Sequence, residues 1–232
     1  MESLNIAQKI AIWAIPVLFA ITLHEVAHGF VASRLGDPTA KMMGRLTVNP
    51  IKHIDLVGTI IVPIVMLLLP GGFLFGWAKP VPVGVNNLGN PRRDMAIVGA
   101  AGPTANFLMA IFWALIVRLG FSLAGSAPSL ALPFALAGVA GVFINSILMV
   151  FNLLPLPPLD GGRVAASLIP ARWASVYERI EPFGFWIIII LLVTGVLGVV
   201  LFPVLRGCFG FFSLFAGVSS GHLWYLLGGL MR

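Results

Sequence analysis

Ile21-Thr22-Leu23-His24-Glu25-Val26-Ala27-His28-Gly29 decides how the rest of this chain is read. It contains His-Glu-x-x-His, the pattern of a zinc-bound hydrolytic site. Two histidines four residues apart share one face of a helix and can grip one metal ion. Glu25 sits one step round from His24, near that metal yet free to work on a water. The stretch closes residues 6–30, which are almost wholly apolar and read as a membrane-spanning helix with Pro16 as a candidate kink. Ionisable groups in such a helix are costly and mark function.

Composition sets the frame. Of the 232 residues 59% are hydrophobic and 9% are charged, where a soluble domain carries about a quarter charged. Mean hydropathy is +1.03. The expected fold is an all-α polytopic membrane protein with about five or six transmembrane helices. A single membrane-embedded domain over residues 1–232 is expected, with its catalytic core in residues 6–165 and C-terminal helices in 183–232. The net charge is +6. The basic residues sit in short loops between apolar segments, so they speak of topology and anionic headgroups, not of nucleic acid. Cys208 is the only cysteine, which excludes an intrachain disulfide and a cysteine zinc cluster. Any zinc must use histidines and carboxylates.

Further spans are expected at residues 95–119, 130–154, 183–202 and 209–230. Residues 45–48 (Arg-Leu-Thr-Val) are short and β-prone. Residues 57–75 are apolar but marginal, interrupted by Pro63 and ended by Pro70-Gly71-Gly72. Residues 75–83 are punctuated by prolines and predict an extended segment. Gly195, Gly198, Gly207 and Gly210 are expected to be close-packing positions.

A catalytic zinc takes three protein ligands and keeps one open position. The chain has eight acidic residues. Glu2, Asp37, Asp55, Asp94, Glu178 and Glu181 lie in or beside polar loops, and Glu25 is reserved as the base. Asp160 alone ends an apolar span inside a Pro/Gly-rich break, Asn152-Leu-Leu-Pro-Leu-Pro-Pro-Leu-Asp160-Gly161-Gly162. Irregular backbone at membrane depth is tolerated where it is buried or lines a cavity. His53 and His222 lie in no comparable context; His53 is kept as a possible auxiliary residue.

Topology tests the choice of Asp160. The His pair and Asp160 both lie toward the C-terminal ends of their spans, so those two helices must run in the same direction. That requires one full crossing between them, residues 95–119. Residues 57–83 must then enter and leave on one side, as a re-entrant or short β element. This arrangement sends Arg34, Lys41, Arg45, Lys52, Lys79, Arg92, Arg93, Arg163, Arg172, Arg179 and Arg232 to one face, with Lys9, Arg118 and Arg206 toward the other. By the positive-inside rule the site faces the cytoplasm.

These residues resemble the site-2 protease family of intramembrane zinc metalloproteases. The resemblance rests on His24-Glu25-x-x-His28 and Leu159-Asp160-Gly161. Gly102-Pro103-x-x-Asn106, Asn49-Pro50-x-x-His53-Ile54-Asp55 and Asn152-x-x-Pro155-x-Pro157-Pro158 add to it. It covers most of residues 20–165, and this chain looks like a compact member without PDZ or CBS domains. The family implies one zinc ion, membrane-spanning protein substrates and a multi-pass place in a membrane, here expected to be a prokaryotic cell membrane. The expected activity is peptide-bond hydrolysis by a zinc-activated water, with Glu25 as general base and His24, His28 and Asp160 as ligands. Asn106 and Asn152, amides in apolar helices, are candidates for substrate binding or oxyanion stabilisation. Packing hydrogen bonds between helices are the competing role for both. A transporter with a polar site at depth, and a non-cleaving helix-binding relative, are the competing functions.

Overall fold

The computed structural model describes residues 4–62 and 76–231. The first helix, α1 (Ile6–Arg34), opens on a capping box in which Asn5 and Gln8 exchange side-chain and backbone hydrogen bonds. It ends where Gly36-Asp37-Pro38 cannot continue a helix. A one-turn helix follows, α2 (Thr39–Met42), then a tight turn at Pro50–His53 and a wider one at Leu56–Ile61.

Helix α3 (Pro91–Ser122) starts with Pro91 behind the Asn90 cap, and α4 (Pro128–Asn152) starts with Pro128. Shorter helices come next: α5 (Asp160–Leu168), α6 (Ala171–Glu178) and α7 (Glu181–Val193). The chain closes with α8 (Val196–Ala216) and α9 (Ser220–Met231). Helices α1, α3, α4 and α8 are long and apolar enough to cross a membrane, and α7 is a shorter apolar helix.

Relative directions follow from who touches whom. Ala20 and His24 meet Asn106, whereas His28 meets Val98, so α1 and α3 are antiparallel. Asn106 meets Asn145, Gly138 packs on Val117 and Gly120 on Ala135, so α3 and α4 are antiparallel too. Helices α1 and α4 therefore run in the same direction, and Asp160 follows α4 on the side where α1 carries its histidines. Close approach of α3 and α4 depends on missing side chains. A Cβ on Gly141 would come within 2.1 Å of the Trp113 ring, and one on Gly138 within 2.6 Å of Val117. In a membrane, where lipid is as apolar as leucine, such small-residue contacts drive helix association. The same apolar core continues from Trp113 and Val117 through Leu136 and Val139 to Phe209, Phe212 and Leu223, with Trp224 stacked on Phe209 at 4.2 Å between centroids.

Three expectations are corrected. No β-strand is present among the described residues. In the β-prone stretch at 45–48, the Thr47 carbonyl meets His53 and the Arg45 guanidinium bonds the Lys52 carbonyl, so the stretch is tied to the turn that follows it and not to a partner strand. The apolar residues 63–75 lie outside the described residues. Their flanks, however, are joined: Trp77 N–H donates to the Gly58 carbonyl and Lys79 N–H to the His53 carbonyl, so the segment leaves and returns at one place.

The C-terminal third divides differently from the expected 183–202 and 209–230. Its breaks fall at Gly195 and Gly217, whose positive φ of 76° and 68° ends one helix and starts another direction. The glycines expected to pack closely do not do so among the described residues: a Cβ on Gly195, Gly198, Gly207 or Gly210 would meet none of those residues' atoms within 4 Å.

Candidate metal centre

Three side chains from distant parts of the sequence converge. Nε2 of His28 lies 3.1 Å from Nε2 of His24, and Oδ2 of Asp160 lies 3.2 Å from each. All three residues are buried. Helical spacing brings the histidines together on α1. Asp160 is placed by the loop after α4, which folds back so tightly that Cβ atoms on Gly161 or Gly162 would strike the Leu153–Pro157 backbone. As the first residue of α5, Asp160 also sits where the helix dipole favours a negative charge.

The ring orientations are fixed from behind. Nδ1 of His28 lies 2.7 Å from the Val98 carbonyl, which can only accept, so Nδ1 carries the proton. Nδ1 of His24 lies 2.6 Å from Oδ1 of Asn106. The Asn106 amide cannot be turned over, because its nitrogen donates to the Ala20 carbonyl at 3.2 Å and to Oδ1 of Asn145 at 2.9 Å. Asn145 in turn donates to Gly141. Both imidazoles therefore carry a proton on Nδ1, and in the neutral form each presents its Nε2 lone pair inward.

Two imidazole nitrogens and a buried carboxylate oxygen facing one another at this range call for a metal ion or a shared proton among them. Oδ2 of Asp160 has no hydrogen-bond donor. The edges of the triangle approach the roughly 3.3 Å separation of ligands on a tetrahedral zinc with bonds of about 2.0–2.1 Å. Among the described residues this is the one group of three or more such side chains able to hold an ion. Two imidazoles and one carboxylate are a donor set that suits zinc.

The space for the pair is made by α3. A Cβ on Gly102 would lie 2.3 Å from Nε2 of His28 and 2.7 Å from Nε2 of His24. One turn away, a Cβ on Gly99 would press on the Asp160 carbonyl at 3.1 Å.

The remaining candidates fall elsewhere. Glu25 is half-buried, and its Oε2 accepts the Val81 N–H at 2.8 Å. Asn106 is fully buried and its amide is engaged by His24, Ala20 and Asn145. Asn152 donates back to the Leu148 carbonyl of its own helix. His53 is buried with Nε2 on the Thr47 carbonyl and is not part of the convergence. The sequence reading did not single out Val98, Asn145 or the Val81 amide. Asn145 carried a readable signal, an amide inside an apolar span; a backbone carbonyl and a backbone amide carry none.

With this geometry in place, the comparisons with known proteins gain a structural meaning. The model of peptidase family M50 matches residues 129–195, which span most of α4, the Asp160 loop and α5 to α7. The chain is 39% identical over 197 residues to the candidate zinc metalloprotease YwhC of Bacillus subtilis, covering 83% of this chain and 84% of that protein. It is 32% identical over 205 residues to the candidate zinc metalloprotease Rip2 of Mycolicibacterium smegmatis, covering 88% of this chain and 73% of that one. Rip2 of Mycobacterium tuberculosis (strain H37Rv) is 32% identical over 193 residues, 83% of this chain and 67% of its own length. No solved structure matches this chain. The chain belongs to peptidase family M50, the site-2 protease family of intramembrane zinc metalloproteases.

Proposed function

We propose that this protein hydrolyses peptide bonds of membrane-embedded proteins at a zinc ion held by His24, His28 and Asp160, with Glu25 as general base. The observation that carries the assignment of roles is the inward convergence of two imidazole nitrogens and one carboxylate oxygen at 3.1–3.2 Å, each ring locked through its Nδ1. Bound there, zinc supplies Lewis-acid chemistry, polarising a carbonyl and making water acidic enough to react near neutral pH.

The chain's own residues do the rest. Asn106 and Val98 hold the His24 and His28 rings with Nδ1 turned away, so that Nε2 of each faces the proposed metal position. Asp160 brings one negative charge and closes the third position. Glu25 takes the proton of the attacking water and returns it to the leaving amine. Asn106 serves the first of these tasks, orienting His24, in place of an oxyanion role. Asn152 is proposed as a helix-packing residue.

The site is proposed to open toward the cytoplasm. Arg34, Lys41, Arg45, Lys52, Arg92, Arg93 and Arg163 cluster on the side where α1 ends and α3 begins, whereas Lys9 and Arg118 lie at the opposite ends of the same helices.

The test uses purified full-length protein, wild type and Glu25→Gln, with zinc stoichiometry and cleavage of a model membrane substrate measured together. Wild type should bind one zinc and cut; Glu25→Gln should bind one zinc and not cut. Cleavage retained by Glu25→Gln, or substrate flux without cleavage by wild type, sinks the assignment.

A further inference from the structure

The segment from Trp77 to Gly84 runs past Glu25, and its amides at 77, 79 and 81 donate in turn to the protein. Trp77 N–H donates to the Gly58 carbonyl at 3.0 Å, Lys79 N–H to the His53 carbonyl at 2.9 Å and Val81 N–H to Oε2 of Glu25 at 2.8 Å. Alternate residues facing one side is the signature of an extended chain. Of the residues between, Pro80 and Pro82 have no N–H at all. The far end is held as firmly. Gly84 N–H donates to Oδ2 of Asp37 at 2.7 Å and the Asn87 amide to Oδ1 at 2.8 Å.

The middle is seated on α1. Val81 is buried, and a Cβ on Gly29 would approach its Cγ1 to 2.7 Å. Gly29 lies one turn beyond Glu25, on a face of α1 adjacent to the one carrying His24 and His28. The segment is thus pinned before, at and after its contact with Glu25.

We propose that the backbone N–H of Val81 is a positioning group for Glu25. This rests on the function proposed above and adds a residue to it. A carboxylate on a flexible stem must reach its water in one rotamer. A charge-assisted bond from a fixed amide holds Oε2, sets the plane of the carboxylate and leaves Oε1 as the oxygen for the substrate water. The flanking prolines serve this arrangement. They remove the two donors that flank Val81, so its N–H is the one amide that residues 80–82 offer at Glu25.

The prediction separates a positioning role from a structural one. Val81→Pro deletes the N–H and keeps an extended backbone, because a residue before Pro82 is already confined to that region. In the zinc-loaded full chain, kcat should fall about tenfold or more while KM stays within about twofold. Zinc stoichiometry should be unchanged. Val83→Pro, at a position whose N–H bonds nothing among the described residues, should keep wild-type kcat. Val81→Ala keeps the N–H and trims only the side chain, so it separates loss of the amide from loss of packing and should lower kcat far less than Val81→Pro. Equal kcat for Val81→Pro and Val83→Pro, an effect on KM alone, or a fall in kcat with Val81→Ala as large as with Val81→Pro overturns the proposal. Wild type that fails to cut overturns instead the function on which it rests.

Discussion

Oδ1 of Asn106 stands 2.6 Å from Nδ1 of His24, while the nitrogen of the same amide reaches Ala20 and Asn145. One side chain therefore ties α1, α3 and α4 together and fixes the tautomer of a proposed zinc ligand. Its own energetic position is demanding, since a buried amide that loses a partner costs about 1–3 kcal/mol.

Replacing Asn106 by Leu should weaken zinc binding by about 10–100-fold, the usual effect of removing the partner behind a metal-bound imidazole. Competition with a chromophoric chelator measures this directly. Unchanged affinity would assign Asn106 to helix packing alone.

Gly102→Ala should abolish stoichiometric zinc binding, because the new methyl would stand 2.3 Å from Nε2 of His28. Gly207→Ala, with nothing within 4 Å, should bind zinc as wild type does. Metal analysis of the two purified variants side by side decides the matter; equal zinc content in both would contradict the described geometry.

His53→Ala should leave zinc content and kcat intact and lower the thermal midpoint, since its Nε2 bonds the Thr47 carbonyl and such a bond is worth about 1 kcal/mol. Loss of zinc in this variant would bring His53 back as an auxiliary ligand.

Asp37 supplies a pH-dependent test. Burial pushes its carboxyl up, but the Thr39 hydroxyl, the Asn87 amide and the backbone N–H groups of Gly84 and Thr39 together pull it below its ordinary value. A carboxylate whose pKa is lower folded than unfolded stabilises the fold at every pH above its unfolded value of about 3.9. The contribution fades as pH falls from there through the folded value. Asp37→Asn should therefore lower stability at pH 7 by about 1–3 kcal/mol, and the gap to wild type should shrink below about pH 4. Thermal melts in detergent at pH 7, 5 and 3.5 read the gap; a constant difference across that range would mean that charge plays no part.

The decisive parts of the centre were legible because they obey long-range rules. His24 and His28 are related by helical period, and the need for one ion to be reached from two spans selected Asp160 and the parallel course of α1 and α4. What was hidden depends on contacts that residue types do not announce. Gly99 read as an ordinary membrane glycine, and Gly102 entered only as part of the Gly102-Pro103-x-x-Asn106 motif, until the histidines and Asp160 were placed against them. Asn106 read as equally suited to substrate and to packing, and the neighbours that engage it, Ala20 and Asn145, lie far off in sequence. The breaks at Gly195 and Gly217 sit inside long apolar runs, where hydropathy is blind to the sign of φ. Arg45-Leu-Thr-Val had strand propensity and no partner, and propensity without a partner makes no sheet.

Cys208 leaves this chain without a sulfur staple. The convergence of α1 with the start of α5 takes that place. Oδ2 of Asp160 lies 3.2 Å from Nε2 of both histidines and so links the two helices at one point. An ion held by His24, His28 and Asp160 would join α1 to the start of α5 as well as enable chemistry. Withdrawal of zinc should therefore loosen the packing of these helices as well as silence the enzyme, read as a lower thermal midpoint after chelation.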